Sequence, residues 1–437
     1  MIKVVRNVSA LLLAAVTVLA VASCGGANES SGTSPSADQP KPSGTITVWD
    51  TEYETIPTWT KAMDKIDRQF EEKNPGVTVH RVAEPYEGWE AIYRAAFTAH
   101  EGPDAMLMQP GLSGVLNFQE GLEPLNDRIS PDLKKHLTQW ESVTPGLATK
   151  GEAFGIPLTT QGWLFYYNKK LFAKAGLPTS FAPKTWAEVR EAGEKLEAAG
   201  IQPFTGGNKE GLENSWWFSV GYQSENTPKQ TQELAEGKID WTDHPVTKAF
   251  RPLIEMQEAG LYPSDRFSTP LFTRGYPRFA EGEGAMILGF METIGYWAEF
   301  VPALGEGNVG MFFPPGRQPV ATLGNVAFSI PRFAKNKDGA YALLEYMASK
   351  EGEETLADFG YLPNRDDVHM PTKYPVQAQE LEEAADGPDR TVAPFISSST
   401  PVIWSALPRE LNSVLQGRVS LEDAQDALEE IAERSGS

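Results

Sequence analysis

The sequence predicts an α/β protein with two helix-covered, mostly parallel sheets, one in each of two successive halves. Three observations carry this. Residues 45–111 read strand, helix, strand, helix, strand, the order that a parallel sheet with covering helices requires. The alternation begins again after Pro157. A chain of 437 residues is also long enough for two or three domains, each with an ample core.

In order along the chain, residues 45–49 alternate as a strand does and end at Asp50, Thr51, Glu52 and Tyr53. Trp59, Ala62, Met63, Ile66 and Phe70 then fall on one helix face, and Asn74, Pro75 and Gly76 stop that helix. Residues 77–82 read as a second strand, and Trp89, Ile92, Ala96 and Phe97 mark the next helix. Residues 105–108 form a buried strand leading to a loop at Gln109, Pro110 and Gly111. Sheets of this kind hold ligands beyond the carboxyl ends of their strands, which puts residues 50–53 and 109–111 on one rim.

The second half opens on residues 155–178. Pro157 breaks any helix ahead of it, and residues 164–167 have strand character. Asn168 caps a short helix that carries Leu171 and Phe172 and stops at Gly176, with Pro178 beyond. Between proline and strand, residues 159–163 read as a polar loop ending in Trp163, an indole set beside amide and hydroxyl groups. Thr185 and Glu188 form a capping box for a helix running to about Ala199. Trp216 and Trp217 lie in another helical stretch, and Phe250, Leu253, Ile254 and Gln257 in one that ends at Gly260. Residues 284–289 and 322–330 read as strands, and Ala340, Leu343, Leu344 and Met347 as one helix face. Trp404, Leu407, Leu411, Val414 and Leu415 fit a late helix, and Ser420 and Asp423 cap the last. The acidic runs at 351–354 and 429–430 read as solvated helix surfaces.

A net charge of −21 argues against nucleic acid or an anionic membrane surface as partner. Five His and a single Cys leave no Cys/His metal cluster and no disulfide within the chain. Gly305, Gly307 and Gly310 match a dinucleotide fingerprint on paper, yet Phe313, Pro314, Pro315 and Gly316 follow where a helix would have to start. No phosphate loop, zinc-protease motif or nucleophile elbow is present, and Glu281 with Glu283 reads as a solvated pair, so neither a cofactor nor catalysis is expected.

The first 24 residues have a different purpose. Lys3 and Arg6 precede an apolar run from Val8 to Ala22, the charge order of a secretory signal. The residues before Cys24 match the bacterial lipobox, which implies a diacylglyceryl-cysteine at the mature N-terminus and an anchor on the outer face of the cell membrane. Residues 25–43 are expected to be a disordered tether with a reach on the order of 25 Å. No later segment is apolar for long enough to span a bilayer.

Taken together, the pieces resemble the extracellular solute-binding proteins of bacterial ABC importers, in the sugar-binding branch related to maltose-binding protein. The likeness covers most of residues 44–434 and rests on residues 46–50, 74–77, 102–104, 155–157 with 167–169, 282–286, 340–352, Leu362 with Pro363, and Trp404 with 415–418. It implies the two-lobe periplasmic-binding-protein fold of class II. One lobe would comprise 44–156 plus about 323–370, the other 157–322 plus about 371–434. Crossings are expected near 156–159, within 321–327 and after Pro363, with the ligand cleft between the lobes.

The resemblance also implies a function: a monomer that is not an enzyme captures a mono- or oligosaccharide, closes on it by hinge motion and delivers it to a membrane permease. Trp404 falls at a stacking position of the family, and Phe290, Met291 and Glu292 at another, where this chain lacks the expected Trp; Met108 likewise stands in place of a Trp. The stacking candidates are Trp404, Trp163 and one of Trp216 or Trp217. For sugar hydroxyls the candidates are Glu52, Gln109, Gln161, Asn208, Glu292 and Asn325, with Met291 beside them. Two alternatives remain: the same fold binding a peptide or polyamine, and a secreted glycoside hydrolase with two carboxylates roughly 5–10 Å apart.

Overall fold

The computed structural model of the chain describes residues 41–85, 88–111, 114–145, 151–235, 237–290, 294–316, 321–371, 391–392, 402 and 406–435. The first sheet is built from β1 (Gly44–Asp50), β2 (Val77–Ala83), β3 (Ala105–Met108), β4 (Ile156–Gln161) and β8 (Ala321–Ser329), in the order β2-β1-β3-β8-β4, with β9 (Thr391–Val392) paired to β8. Helices α1 (Pro57–Lys73) and α2 (Trp89–Ala99) follow the first two strands, α3 (Pro131–His136) comes after β3, and α11 (Lys337–Met347) and α12 (Lys350–Asp358) follow β8. The expected face of α1 is the buried one: Trp59, Ala62, Met63, Ile66 and Phe70. The second sheet has the order β6-β5-β7, from β5 (Trp163–Asn168), β6 (Met286–Phe290) and β7 (Val309–Phe312). Around it lie α4 (Lys169–Lys174), α5 (Trp186–Ala198), α6 (Leu212–Glu225), α7 (Pro228–Ala235), α8 (His244–Glu258), α9 (Tyr276–Ala280), α10 (Ile294–Leu304), α13 (Leu407–Leu415) and α14 (Leu421–Ser435).

Two separate apolar cores define two lobes. One contains Ile46, Trp59, Leu107, Ile156, Leu158, Val326, Leu344 and Tyr361. The other contains Trp163, Phe165, Trp217, Phe250, Ile287, Phe312, Leu407 and Leu428. The chain therefore changes core between Leu158 and Trp163, between Phe312 and Val326, and between Tyr361 and Leu362.

Leaving aside the short β9, which runs parallel to β8, each sheet has one reversed strand, and it is a strand that meets a crossing. β8 runs antiparallel to β3 and β4, while β1, β2 and β3 are parallel. β5 runs antiparallel to β6 and β7. The remaining strands of each sheet share a direction, as βαβ connections demand.

Local signals behave as their chemistry requires. The Asn168 side chain accepts from the N–H groups of Lys170 and Leu171 to start α4, and Thr185 accepts from Glu188 to start α5. Two expectations are corrected. Residues 159–161 are not loop but the end of β4, because β8 offers ladder partners there, Thr160 against Gly324 and Gln161 against Leu323. Glu353 does not lie on a solvated helix surface; it is wholly buried, while Glu351 and Glu354 beside it are exposed. Gly305 and Gly307 lie between α10 and β7 and Gly310 lies within β7, so helix precedes and strand follows, the reverse of a dinucleotide site.

Candidate functional site between the lobes

The register of both sheets brings their strand ends together. Met108, the last residue of β3, pairs with Ala327, so the earlier residues of β8 run on past β3 to pair with Thr160 and Gln161. Only Gly162 separates β4 from β5. In the second sheet, Trp163 pairs with Phe290 at the carboxyl end of β6, and Phe165 with Phe312 at the carboxyl end of β7. The carboxyl ends of β1, β3, β6 and β7 thus converge on the β4–β5 crossing, the position where open α/β sheets take their ligands.

On the first rim Asp50 is an organiser. It is fully buried, and its Oδ1 accepts the N–H groups of Glu52 (3.0 Å) and Tyr53 (3.1 Å). Its Oδ2 accepts from Trp59 Nε1 at 3.0 Å and from Arg81 at 2.9 Å. Arg81 in turn holds Asp67 through two bonds of 2.9 and 2.8 Å. Asp50 therefore fixes the turn that presents Glu52, and its oxygens are occupied doing so.

Glu52 is a different case. It is 7% exposed, and its carboxyl is pushed up to about 8, chiefly by burial and then by the charge of Asp50. The usual glutamate value is 4.5, so its contribution to stability is whole below that pH and is lost as pH rises through about 8. Glu52→Gln should therefore flatten the fall in stability between pH 5 and pH 9, read as a denaturant midpoint across that range. A fall of unchanged size in the variant would show that Glu52 is not its source.

On the second rim, Asn208 closes a polar network. Its Oδ1 accepts the Asn214 N–H at 3.0 Å and its Nδ2 donates to Asn412 Oδ1 at 2.7 Å, which also receives Asn214 Nδ2 at 2.8 Å. Behind these, Arg266 donates to Glu213 at 3.0 Å and to Asn214 at 2.9 Å, with its guanidinium 4.1 Å from the Tyr262 ring centroid. Glu213 and Arg266 are both fully buried, and burial pushes the Glu213 carboxyl up while Arg266 pulls it down. Gly206 lies so close over Glu213 that a Cβ would sit 2.4 Å from Oε1.

Two of the predicted aromatics pack with the second core rather than alone on a surface. Trp217 is fully buried and donates to the Tyr262 hydroxyl at 2.7 Å. Trp216 is nearly buried, with its ring 6.1 Å from that of Phe272. Trp163 is also buried and sits at the start of β5, directly on the crossing. Gln109 is half-buried beyond β3. Trp404, Met291, Glu292 and Cys24 lie outside the described residues, as do the side chains of Gln161 and Asn325.

Comparison with known families settles the class. The profile of the bacterial extracellular solute-binding proteins matches residues 54–354 of this chain. The chain belongs to that family. This solute-binding protein is 24% identical over 408 residues to a binding protein of Brucella abortus (strain 2308), covering 90% of each chain. A shorter match, 31% over 115 residues and 25% of this chain, is to the sn-glycerol-3-phosphate-binding periplasmic protein UgpB of the same strain. Among solved structures, a chitin oligosaccharide binding protein superimposes with a TM-score of 0.76 at 21% identity, covering 90% of this chain and 99% of the other. The maltose-bound MalE3 of T. maritima gives 0.70 at 21%, with coverage of 90% and 99%. These establish the two-lobe fold for this solute-binding protein.

Sequence reasoning missed the polar residues that build the hinge and rims of this solute-binding protein. Glu353, Asn364, Glu213 and Arg266 are all buried and all make hydrogen bonds to distant segments. A single sequence carries no signal for such pairs, except that Glu353 and Glu213 occupy positions flanked by buried residues of their helices.

Proposed function

We propose that this protein is the sugar-capturing component of an ABC importer, held to the outer face of the cell membrane through a lipid on Cys24 and passing its ligand to a permease. The observation that carries this reading is the convergence of strand ends from two separately packed sheets on one crossing. A carbohydrate fits such a place: indole faces cover its C–H surfaces, and carboxyl and amide groups take its hydroxyls. Trp404 is the stacking residue, Trp163 floors the crossing, and Glu52 and Gln109 reach hydroxyls from the first rim. Two stacks of about 0.5–1.5 kcal/mol each and several hydrogen bonds, less the cost of immobilising the ligand, bring affinity to roughly micromolar.

Solved proteins of the same fold support a sugar, since those matched are described with chitin oligosaccharide, maltose and raffinose. The UgpB likeness favours glycerol phosphate as a second reading. A net charge of −21 and a buried acid at the rim weigh against an anion. Ligand that bridges the lobes favours the closed form over the open one. Small-angle scattering should therefore show a smaller radius of gyration when a bound sugar saturates the protein. Saturation without any compaction would contradict closure.

A further inference from the structure

The crossing between the lobes contains a buried acid that the binding reading does not use. Glu353 lies on α12, a helix whose Leu356 packs in the first core and whose Ala357 packs in the second. Its Oε2 accepts the N–H of Asn364 at 3.0 Å, its Oε1 is buried with no hydrogen-bond partner among the described residues, and the N–H of Thr159 is close enough to pull the carboxyl down. Those two residues sit where the chain changes core. Thr159 lies between Leu158 of the first core and Trp163 of the second, and Asn364 follows Leu362 of the second core.

The two crossings are also tied to each other. The Thr160 N–H donates to Leu362 O at 2.8 Å. Asn364 Nδ2 donates to Pro157 O at 3.2 Å and to Thr138 O at 3.0 Å, and its Oδ1 accepts from Thr138 Oγ1 at 2.7 Å. Thr159 itself has φ of 51°, a left-handed conformation that a β-branched residue seldom adopts, and its buried hydroxyl has no hydrogen-bond partner among the described residues. Such a backbone persists only where its surroundings over-determine it.

We propose that Glu353 is the positioning residue of the hinge: from α12 its carboxylate grips the N–H of Asn364, whose side chain holds Pro157 O beside Thr159, and so braces both crossings and sets how readily the lobes turn. A charged acceptor holds an N–H more strongly than a neutral one, so proton uptake slackens the grip. The Glu353 carboxyl is pushed up to about 7, with burial as the main cause and Asp367 adding to it, while the Asn364 and Thr159 N–H groups and Arg365 pull it down. Arg365 and Asp367 are the charged groups facing it from the crossing, and Arg365 already holds Asp367 at 2.8 Å. The grip is complete above about pH 7 and slack below it.

The sign separates this role from a merely structural one. A carboxyl raised from 4.5 to about 7 contributes stability that is whole at low pH and lost as pH rises through 7, whereas hinge protection grows over the same range. The proposal rests on the two-lobe architecture and on no particular ligand. Its test is amide hydrogen exchange on the ligand-free full chain at pH 6 and pH 8, corrected for intrinsic rates. Protection of Asn364, relative to Ile46 and Val48 in β1, should rise about fivefold to tenfold from pH 6 to pH 8, and Glu353→Gln should abolish the rise. Equal relative protection at both pH values, or a rise that survives in Glu353→Gln, overturns the proposal. The wild-type pair decides alone should the variant fail to fold.

Discussion

Arg266→Met should destabilise the protein by about 3–5 kcal/mol, read as a drop in the urea midpoint with unchanged slope. The reason is what the substitution leaves behind. Glu213 is fully buried and its Oε2 takes the Arg266 Nε at 3.0 Å, so without the guanidinium a carboxylate stays in the second core with no counter-charge. Asn214 Oδ1 loses its donor too, and the Tyr262 ring loses the cation 4.1 Å from its centre. Removing both charges is a smaller insult than removing one, because a buried ion pair roughly offsets its own desolvation. Glu213→Leu combined with Arg266→Met should therefore be more stable than Arg266→Met alone. A single variant within about 1 kcal/mol of wild type would mean that the pair is more hydrated than its burial indicates.

The second large effect belongs to Asp50. Asp50→Ala should also destabilise by about 3–5 kcal/mol, since it strips Arg81 of one buried partner and leaves Trp59 Nε1 and the N–H groups of Glu52 and Tyr53 without their acceptor. Asp50→Asn should cost less, because the amide oxygen can still accept from the turn. The milder variant carries a second readout. Asp50 is one of the two causes that push the Glu52 carboxyl up to about 8, so neutralising it should bring Glu52 down part of the way toward 4.5, visible by carbon-13 NMR of the side chain. An unmoved Glu52 would place Asp50 outside its electrostatic reach.

Residues 45–111 and 185–199 were legible in the sequence because a single face or a single alternation decides them. Trp59, Ala62, Met63, Ile66 and Phe70 are spaced for one helix stripe, and all five are buried. Thr185 and Glu188 announce a helix start by chemistry that needs no distant partner. Residues 159–161 are misread for the opposite reason: so few residues between Pro157 and Gly162 show no alternation of their own, and β8, more than 150 positions away, makes them strand. Glu353 follows the same logic, since an acid in an acidic run looks solvated until Asn364 and Thr159 fold over it.

The candidate site was legible in outline. Residues 50–53 and 109–111 were expected on one rim, and parallel pairing of β1 with β3 puts their carboxyl ends side by side. What the sequence could not convey is which polar groups the fold consumes. Asp50 and Asn208 look alike on the page as rim residues, and both turn out to spend a side-chain oxygen on neighbouring backbone N–H groups. Glu52 differs only in being buried beside Asp50, a fact of three dimensions.

The central claim is that two lobes close over a carbohydrate, and a thermal-shift panel of mono- and oligosaccharides tests it most directly. A sugar present at about 100 times its dissociation constant stabilises by about 2.7 kcal/mol, which for a chain of this size raises the melting temperature by about 3 °C. The account predicts such a rise with at least one sugar and its loss in Trp404→Ala. A panel in which no sugar moves the transition, while sn-glycerol 3-phosphate, a peptide or a polyamine does, would contradict it.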